Sequence, residues 1–137
     1  SLLGGCAMLS SDLMQFTGTE KYTKWSFLFK KHVLTDGANY VAQEMGAYWL
    51  MDAIASYHSA VMSHKDDRLH QFQIWFLKKK KEGAVLECWA DTGDDEKALI
   101  KQKIEYTDFF SEYDEEEIKF FVCPSDVGWV IMLPSEY

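Results

Sequence analysis

The pattern of apolar and polar positions changes its period near the middle of the chain. Up to about residue 62, apolar residues recur at spacings of three and four, which predicts amphipathic helices. After a polar break at 63–68 they alternate one by one with polar residues, which predicts strands. Helices followed by strands predict an α+β domain, with N-terminal helices packed on one face of an antiparallel meander of about five strands.

The segment 46–57, with the sequence GAYWLMDAIASY, is the most apolar part of the helical half. It is apolar around almost its whole circumference except at Asp52, which predicts a buried helix over 47–62. Leu50, Ile54 and Tyr57 are spaced to face the sheet. A shorter helix is expected just before it, with Thr35 as the N-cap and Gly46 as the C-terminal stop.

Alternation predicts a β-hairpin over 71–89. In the first strand, Phe72, Ile74 and Phe76 alternate with two glutamines and Trp75. The second strand ends at Trp89. Both tryptophans are therefore expected on the outer sheet face among polar neighbours. A solvent-exposed aromatic surface of this size predicts a homodimer whose interface buries about 1,200 Å² or more in total.

Three further strands complete the predicted sheet, over 100–106, 118–123 and 128–133. The polar pattern before the first of them leaves an alternative, a helix over 94–103.

The composition fits one domain of ordinary size. The chain has 137 residues, of which 47 % are hydrophobic and 15 % aromatic, enough to bury a core without disulfides or metals. We expect the domain to span 8–137 and residues 1–7 to be an upstream remnant. Cys6, Cys88 and Cys123 lie far apart and form no C-x-x-C spacing, which favours a reducing, cytoplasmic setting. No apolar run reaches the roughly 18 residues of a membrane span.

The charge balance favours a protein partner over a nucleic acid. The net charge is −8, and Arg68 is the only arginine among fourteen basic residues. Phosphate would be repelled by the mean field and would lack arginine forks to bind. No glycine-rich phosphate loop is present, so no cofactor is expected. His58, His64 and His70 recur every six residues, which is not the spacing of helical zinc ligands, and no metal is expected.

Asp52 is the first candidate for a ligand site, because a carboxylate on an apolar helix must be paired or change its pKa. Tyr48 and Ser56 lie one turn away on either side of it. The ligand-binding candidates are thus Asp52, Tyr48, Trp49, Ser56 and Asp36. The structural alternative is that Asp52 tethers the turn at 35–37. No catalytic residue is identified.

Two charge runs are the other candidates. The lysines at 78–81 fall where the hairpin turns, so a solvated turn is favoured over a nucleic-acid contact. The acidic segment 108–117 mixes carboxylates with aromatic residues and is a candidate surface for a basic partner. Its acidic members are Asp108, Glu112, Asp114, Glu115, Glu116 and Glu117.

Several short motifs together resemble a family of small bacterial and phage proteins known only as a domain of unknown function. They are FTGTE at 16–20, LTDG at 34–37, GAYWLxDAIAS at 46–56, FQIW at 72–75, IEYTDF at 104–109 and LPSEY at 133–137. The resemblance implies a cytosolic, mobile-element-borne bacterial protein, and it supplies no reaction or catalytic residue.

Taken with the composition, we expect a non-enzymatic accessory protein that acts through protein contacts. The alternative is a small enzyme or ligand binder with a pocket between the long helix and the sheet. The two alternatives predict different surfaces. A binding protein should carry its exposed aromatic residues on a flat or convex patch, whereas an enzyme should bring polar groups together in a concave one.

Overall fold

The computed structural model describes residues 10–16, 22–23, 31–65, 67–90, 98–111 and 113–137. Within these residues the chain is an α+β domain, as the sequence predicts. Three α-helices pack on one face of a mixed seven-stranded sheet. None of the helices in the described part of the chain has the length and apolar character needed to cross a membrane.

Helix α1 spans Asp36–Glu44 and has both of the predicted ends. The Thr35 hydroxyl accepts a hydrogen bond from the Ala38 N–H at 3.2 Å, which satisfies a donor of the first turn. Gly46 takes a φ of +59° after the last turn, and the Ala47 N–H reaches back to the Ala42 carbonyl at 2.7 Å. This is a Schellman ending, which needs a residue that tolerates the left-handed region.

The predicted single helix over 47–62 is wrong in one respect, because it is divided at Tyr57. Helix α2 spans Tyr48–Ser56 and helix α3 spans His58–Met62. The Tyr57 N–H bonds to the Ile54 carbonyl, three residues back, which tightens the last turn of α2. Ser56 also donates its hydroxyl to the Ala53 carbonyl, a local bond that competes with regular helix geometry.

The sheet is built from seven strands in the order β1-β2-β7-β6-β3-β4-β5. All neighbours are antiparallel except β2 and β7, which are parallel. The strands are β1 (Tyr22–Thr23), β2 (His32–Thr35), β3 (Gln73–Lys79), β4 (Ala84–Trp89), β5 (Ile100–Ile104), β6 (Glu117–Ser125) and β7 (Gly128–Met132).

The five predicted strands are present, but they do not form a meander. After β5 the chain crosses over and β6 pairs with β3, so β3 lies at the centre between β4 and β6. Strand β2, which the sequence pattern did not reveal, adds to β7. Residues 100–104 are a strand, so the helical alternative is wrong there; its first residues, 94–97, lie outside the described part.

The side chains of strand β3 alternate between the two sheet faces in the opposite sense from the predicted one. The expectation that Trp75 lies on the outer face is therefore wrong. Trp75 is fully buried on the inner face, which we define as the face toward the helices, and Trp89 alone is on the outer face. The indole N–H of Trp75 donates to Gln73 Oε1 at 2.8 Å, and Gln73 Nε2 donates to the Leu69 carbonyl. These bonds let a glutamine lie inside, because each polar group is satisfied.

Candidate functional site

Two of the ligand-binding candidates on α2 form hydrogen bonds with helix residues. The Tyr48 hydroxyl donates to Asn39 Oδ1 of α1 at 2.6 Å, and the exposed Ser56 bonds to its own helix. Trp49 and Asp52 are half-buried. The structure thus uses the polar groups of Tyr48 and Ser56 to hold helices in place.

In the part of the chain that the structure describes, α2 and the sheet contribute apolar side chains to the same core. Leu50, Met51 and Ile54 from the helix meet Trp75 of β3 in one buried cluster. Cys88 of β4 belongs to the same cluster, and burial raises the pKa of its thiol, which keeps it protonated and unreactive.

The turn at 35–37 is tied down by a buried carboxylate that the sequence reasoning did not single out. Glu136 Oε1 accepts hydrogen bonds from the Thr35 hydroxyl at 2.5 Å and the Leu133 N–H at 3.0 Å, and Oε2 accepts from the Gly37 N–H at 3.0 Å. A Cβ at Gly37 would lie 2.5 Å from Oε1, so only glycine fits. We call these contacts the Glu136 clamp.

The clamp lies beside two features that the sequence analysis singled out, the ligand candidate Asp36 and the tether of the turn at 35–37. Asp36, a ligand candidate, is the half-buried first residue of α1, where its charge suits the positive end of the helix dipole. The neighbouring Gly37 N–H is taken by Glu136, so the turn is tethered by a residue about a hundred positions away. In the sequence reasoning the LPSEY motif at 133–137 carried only the family resemblance and did not single out Glu136.

Two histidines meet where α3 crosses β2 and β7. The rings of His32 and His58 touch edge to face with centroids 5.2 Å apart, and His58 also contacts Trp129. Burial, reinforced by the charges of His58 and Lys31, lowers the pKa of His32 to about 4, and burial and Lys31 lower that of His58. Both imidazoles are therefore neutral at physiological pH.

The acidic segment lies at one end of the sheet, next to the lysine-rich turn. Asp108, Asp114, Glu115, Glu116 and Glu117 are exposed, whereas Glu112 lies outside the described residues. The Lys79 N–H donates to the Glu116 carbonyl at 2.7 Å, and Lys78 is paired in register with Glu117. The C-terminal end of the acidic segment therefore lies beside the lysines at the end of β3.

The outer face of strands β6, β3, β4 and β5 carries an ordered set of charged and aromatic side chains. Residues directly opposite one another across the strands form rows, and the central row reads Lys119, Phe76, Glu87 and Lys101. The next row includes Lys78, Val85 and Lys103. We call this surface the lysine–aromatic face, and it consists of Phe76, Lys78, Val85, Glu87, Trp89, Lys101, Lys103 and Lys119.

Glu87 is the centre of this face. Its Oε1 accepts hydrogen bonds from Lys78 Nζ and from the Trp89 indole N–H, both at 3.0 Å, while Lys101 Nζ lies 3.8 Å from Oε2. Burial alone would raise the pKa of Glu87, but these bonds and the two lysine charges outweigh it and lower the pKa. The carboxylate therefore stays ionised and orients its neighbours.

Lysines also cover the aromatic rings of the face. Lys78 Nζ lies 5.0 Å from the ring centroid of Phe76 and 5.7 Å from that of Trp89, and Lys119 Nζ lies 5.4 Å from Phe76. These are cation–π distances. The lysine stems bury Phe76 and leave their ammonium groups at the surface.

The face is basic although the chain is acidic. Across β3–β6 the outer positions carry Lys78, Lys101, Lys103 and Lys119 against Glu87 and Glu117, so four cations stand against two anions. The whole chain has a net charge of −8. The sequence could have shown this segregation only if the phase of β3 had been known.

Comparison with known proteins gives a family without an assigned activity. A family model described as a family of unknown function, DUF6876, matches residues 7–137, and the chain belongs to this family. This confirms the expectation that the chain belongs to an uncharacterised domain family. No curated protein and no solved structure matches the chain.

Proposed function

We propose that this protein is a non-enzymatic accessory protein of the bacterial cytoplasm that binds another protein, and that the lysine–aromatic face is its contact surface. The observation that carries the proposal is the concentration of lysine on the outer sheet face of an acidic chain. Such a face is complementary to an acidic partner.

Three properties of the face favour its interpretation as a binding surface for a partner over that of a merely solvated surface. Glu87 and the aromatic rings hold Lys78 in a fixed geometry, so less side-chain entropy is lost on binding. Lys101 keeps 64 % of its side chain exposed, and Lys103 is exposed as well. Trp89 is half-buried and adds an aromatic side chain of a type that is enriched at interfaces.

A cytoplasmic setting fits the thiols. Cys88 and Cys123 are free, and Cys88 is buried as a small apolar side chain. Free thiols persist where the redox poise is reducing.

The proposal is tested with a defined acidic polymer. Fluorescent poly-glutamate should bind the protein, and the double variant Lys101→Glu/Lys103→Glu should weaken this binding by about tenfold or more. The matched control is Lys80→Glu/Lys81→Glu, which changes the net charge equally in the exposed hairpin turn and should leave most of the affinity. Equal losses in both variants would mean that only net charge matters, and stronger binding to duplex DNA than to poly-glutamate would favour a nucleic-acid partner; either result overturns the proposal.

A further inference from the structure

Among the residues that the structure describes, strand β5 is the last strand of the sheet at the lysine-rich end. It pairs with β4 through five residue pairs, from Ala84 with Ile104 to Cys88 with Ile100. A strand in this position presents backbone N–H and C=O groups along its outer edge, and such edges accept an additional strand from a partner.

The side chains of β5 alternate in a way that suits an acidic strand. Lys101 and Lys103 point to the outer face, two residues apart, and both are exposed. A strand added at the usual spacing of about 4.8 Å places its own alternate side chains directly opposite them. Carboxylates at every second position of the added strand would therefore meet both lysines.

The edge is already held in the extended form. On its inner side Gln102 accepts a hydrogen bond from the Tyr57 hydroxyl at 2.6 Å, which ties β5 to the helix layer. Ile100 and Ile104 pack against the core cluster. Because the strand is formed before binding, a partner does not have to order it.

The same lysines select against other strands. If β5 of a second copy paired with this strand, lysines would stand opposite lysines, which is destabilising. The charge that discourages self-association thus favours an acidic segment, and discrimination of this kind needs both the attraction and the repulsion.

We propose that the partner contributes an extended acidic segment that binds as an eighth strand on the outer edge of β5, with carboxylates at alternate positions facing Lys101 and Lys103. This inference rests on the proposed function, and it adds the conformation and the charge pattern of the partner. The class of ligand is an acidic peptide.

The probe is a labelled peptide of alternating glutamate and threonine, compared with a peptide of the same composition whose glutamates are contiguous. Fluorescence anisotropy should show about tenfold tighter binding of the alternating peptide. Hydrogen exchange should show new protection of the amides at 100–104. Equal affinity of the two peptides would overturn the alternate-position geometry.

Backbone methylation separates this inference from the proposed function. One peptide carries N-methyl groups on all glutamates and another on all threonines; because N–H groups of a strand point alternately to its two edges, only one set should abolish binding. If both methylated peptides bind as well as the parent, while Lys101→Glu/Lys103→Glu still weakens all of them, the face binds acidic chains without strand addition and only this inference fails. If the lysine variant binds all peptides as well as the unmodified protein does, the proposed function fails too.

Discussion

The two faces of one sheet are built on different physical principles. The inner face is closed by apolar packing, and the polar groups of Gln73 and Trp75 are paired with each other and with the Leu69 carbonyl out of contact with water. The outer face of β3–β6 buries Phe76 beneath lysine stems and keeps its charges at the surface around Glu87. Burial of apolar area dominates stability, whereas exposed ion pairs contribute little. The inner face therefore supplies most of the stability, whereas the outer face carries the exposed charges.

Truncation of apolar side chains that pack on the inner face should cause the largest loss of stability. Leu50 and Ile54 are fully or almost fully buried against the sheet. Leu50→Ala and Ile54→Ala should each lower the free energy of unfolding by about 2–5 kcal/mol, because each leaves a cavity in a packed core. Urea denaturation followed by tryptophan fluorescence measures this. Changes below about 1 kcal/mol at both positions would show that α2 is peripheral.

Removal of the Glu136 clamp should cause the next largest loss of stability. Glu136→Ala leaves the Gly37 and Leu133 N–H groups buried without an acceptor, so we expect a loss of about 2–4 kcal/mol. Glu117→Ala, at an exposed glutamate, is the control and should change stability by less than about 0.5 kcal/mol. Similar small losses for both variants would contradict the clamp.

A matched pair of tryptophan substitutions compares the two faces directly. Trp75 donates its indole N–H to Gln73 inside, and Trp89 donates to Glu87 outside. Trp75→Phe should cost about 2–3 kcal/mol, because it opens a cavity and strands the Gln73 oxygen, whereas Trp89→Phe should cost about 1 kcal/mol or less. The difference between the two unfolding free energies is the quantity to measure. Equal costs would remove the distinction between the faces.

The pH dependence of stability should reveal the buried histidine pair. The pKa of His32 is about 4 in the folded chain against 6.5 for an ordinary histidine, so the unfolded chain binds a proton that the native chain refuses. The free energy of unfolding should thus fall as the pH is lowered from 6.5 toward 4, and this contribution should level off below the folded pKa. Urea midpoints of the unmodified protein and His32→Gln, measured across this interval, give the difference. Parallel profiles would show that His32 does not carry the effect.

The acidic segment should show the smallest effect on stability. Neutralising Glu115, Glu116 and Glu117 to Gln should change the free energy of unfolding by less than about 0.5 kcal/mol, because these side chains are exposed. If the segment binds a basic partner, as its composition predicts, poly-lysine should bind the unmodified protein at low salt and release as salt rises. Unchanged poly-lysine binding by the neutralised variant would contradict that prediction.

The sequence by itself determined the elements whose signals are local. Thr35 and Gly46 delimit α1, because capping depends on a hydroxyl or on a tolerated φ within a few residues. Alternation was enough to place β4, β6 and β7 in the C-terminal half, and β5 except at its ends. The order of the helical and strand halves was enough for the α+β class.

Only the tertiary structure decided which face each central residue occupies and which strands are neighbours. Strand β3 is buried on both sides, so its alternation carried no information about phase, and Trp75 was assigned to the wrong face. The pairing of β2 with β7 and the bond from Glu136 to Gly37 join residues about a hundred positions apart. Such contacts depend on how the layers close over the core, and no local pattern records them. The lysine–aromatic face is a product of the same closure, because strand register alone brings its lysines together.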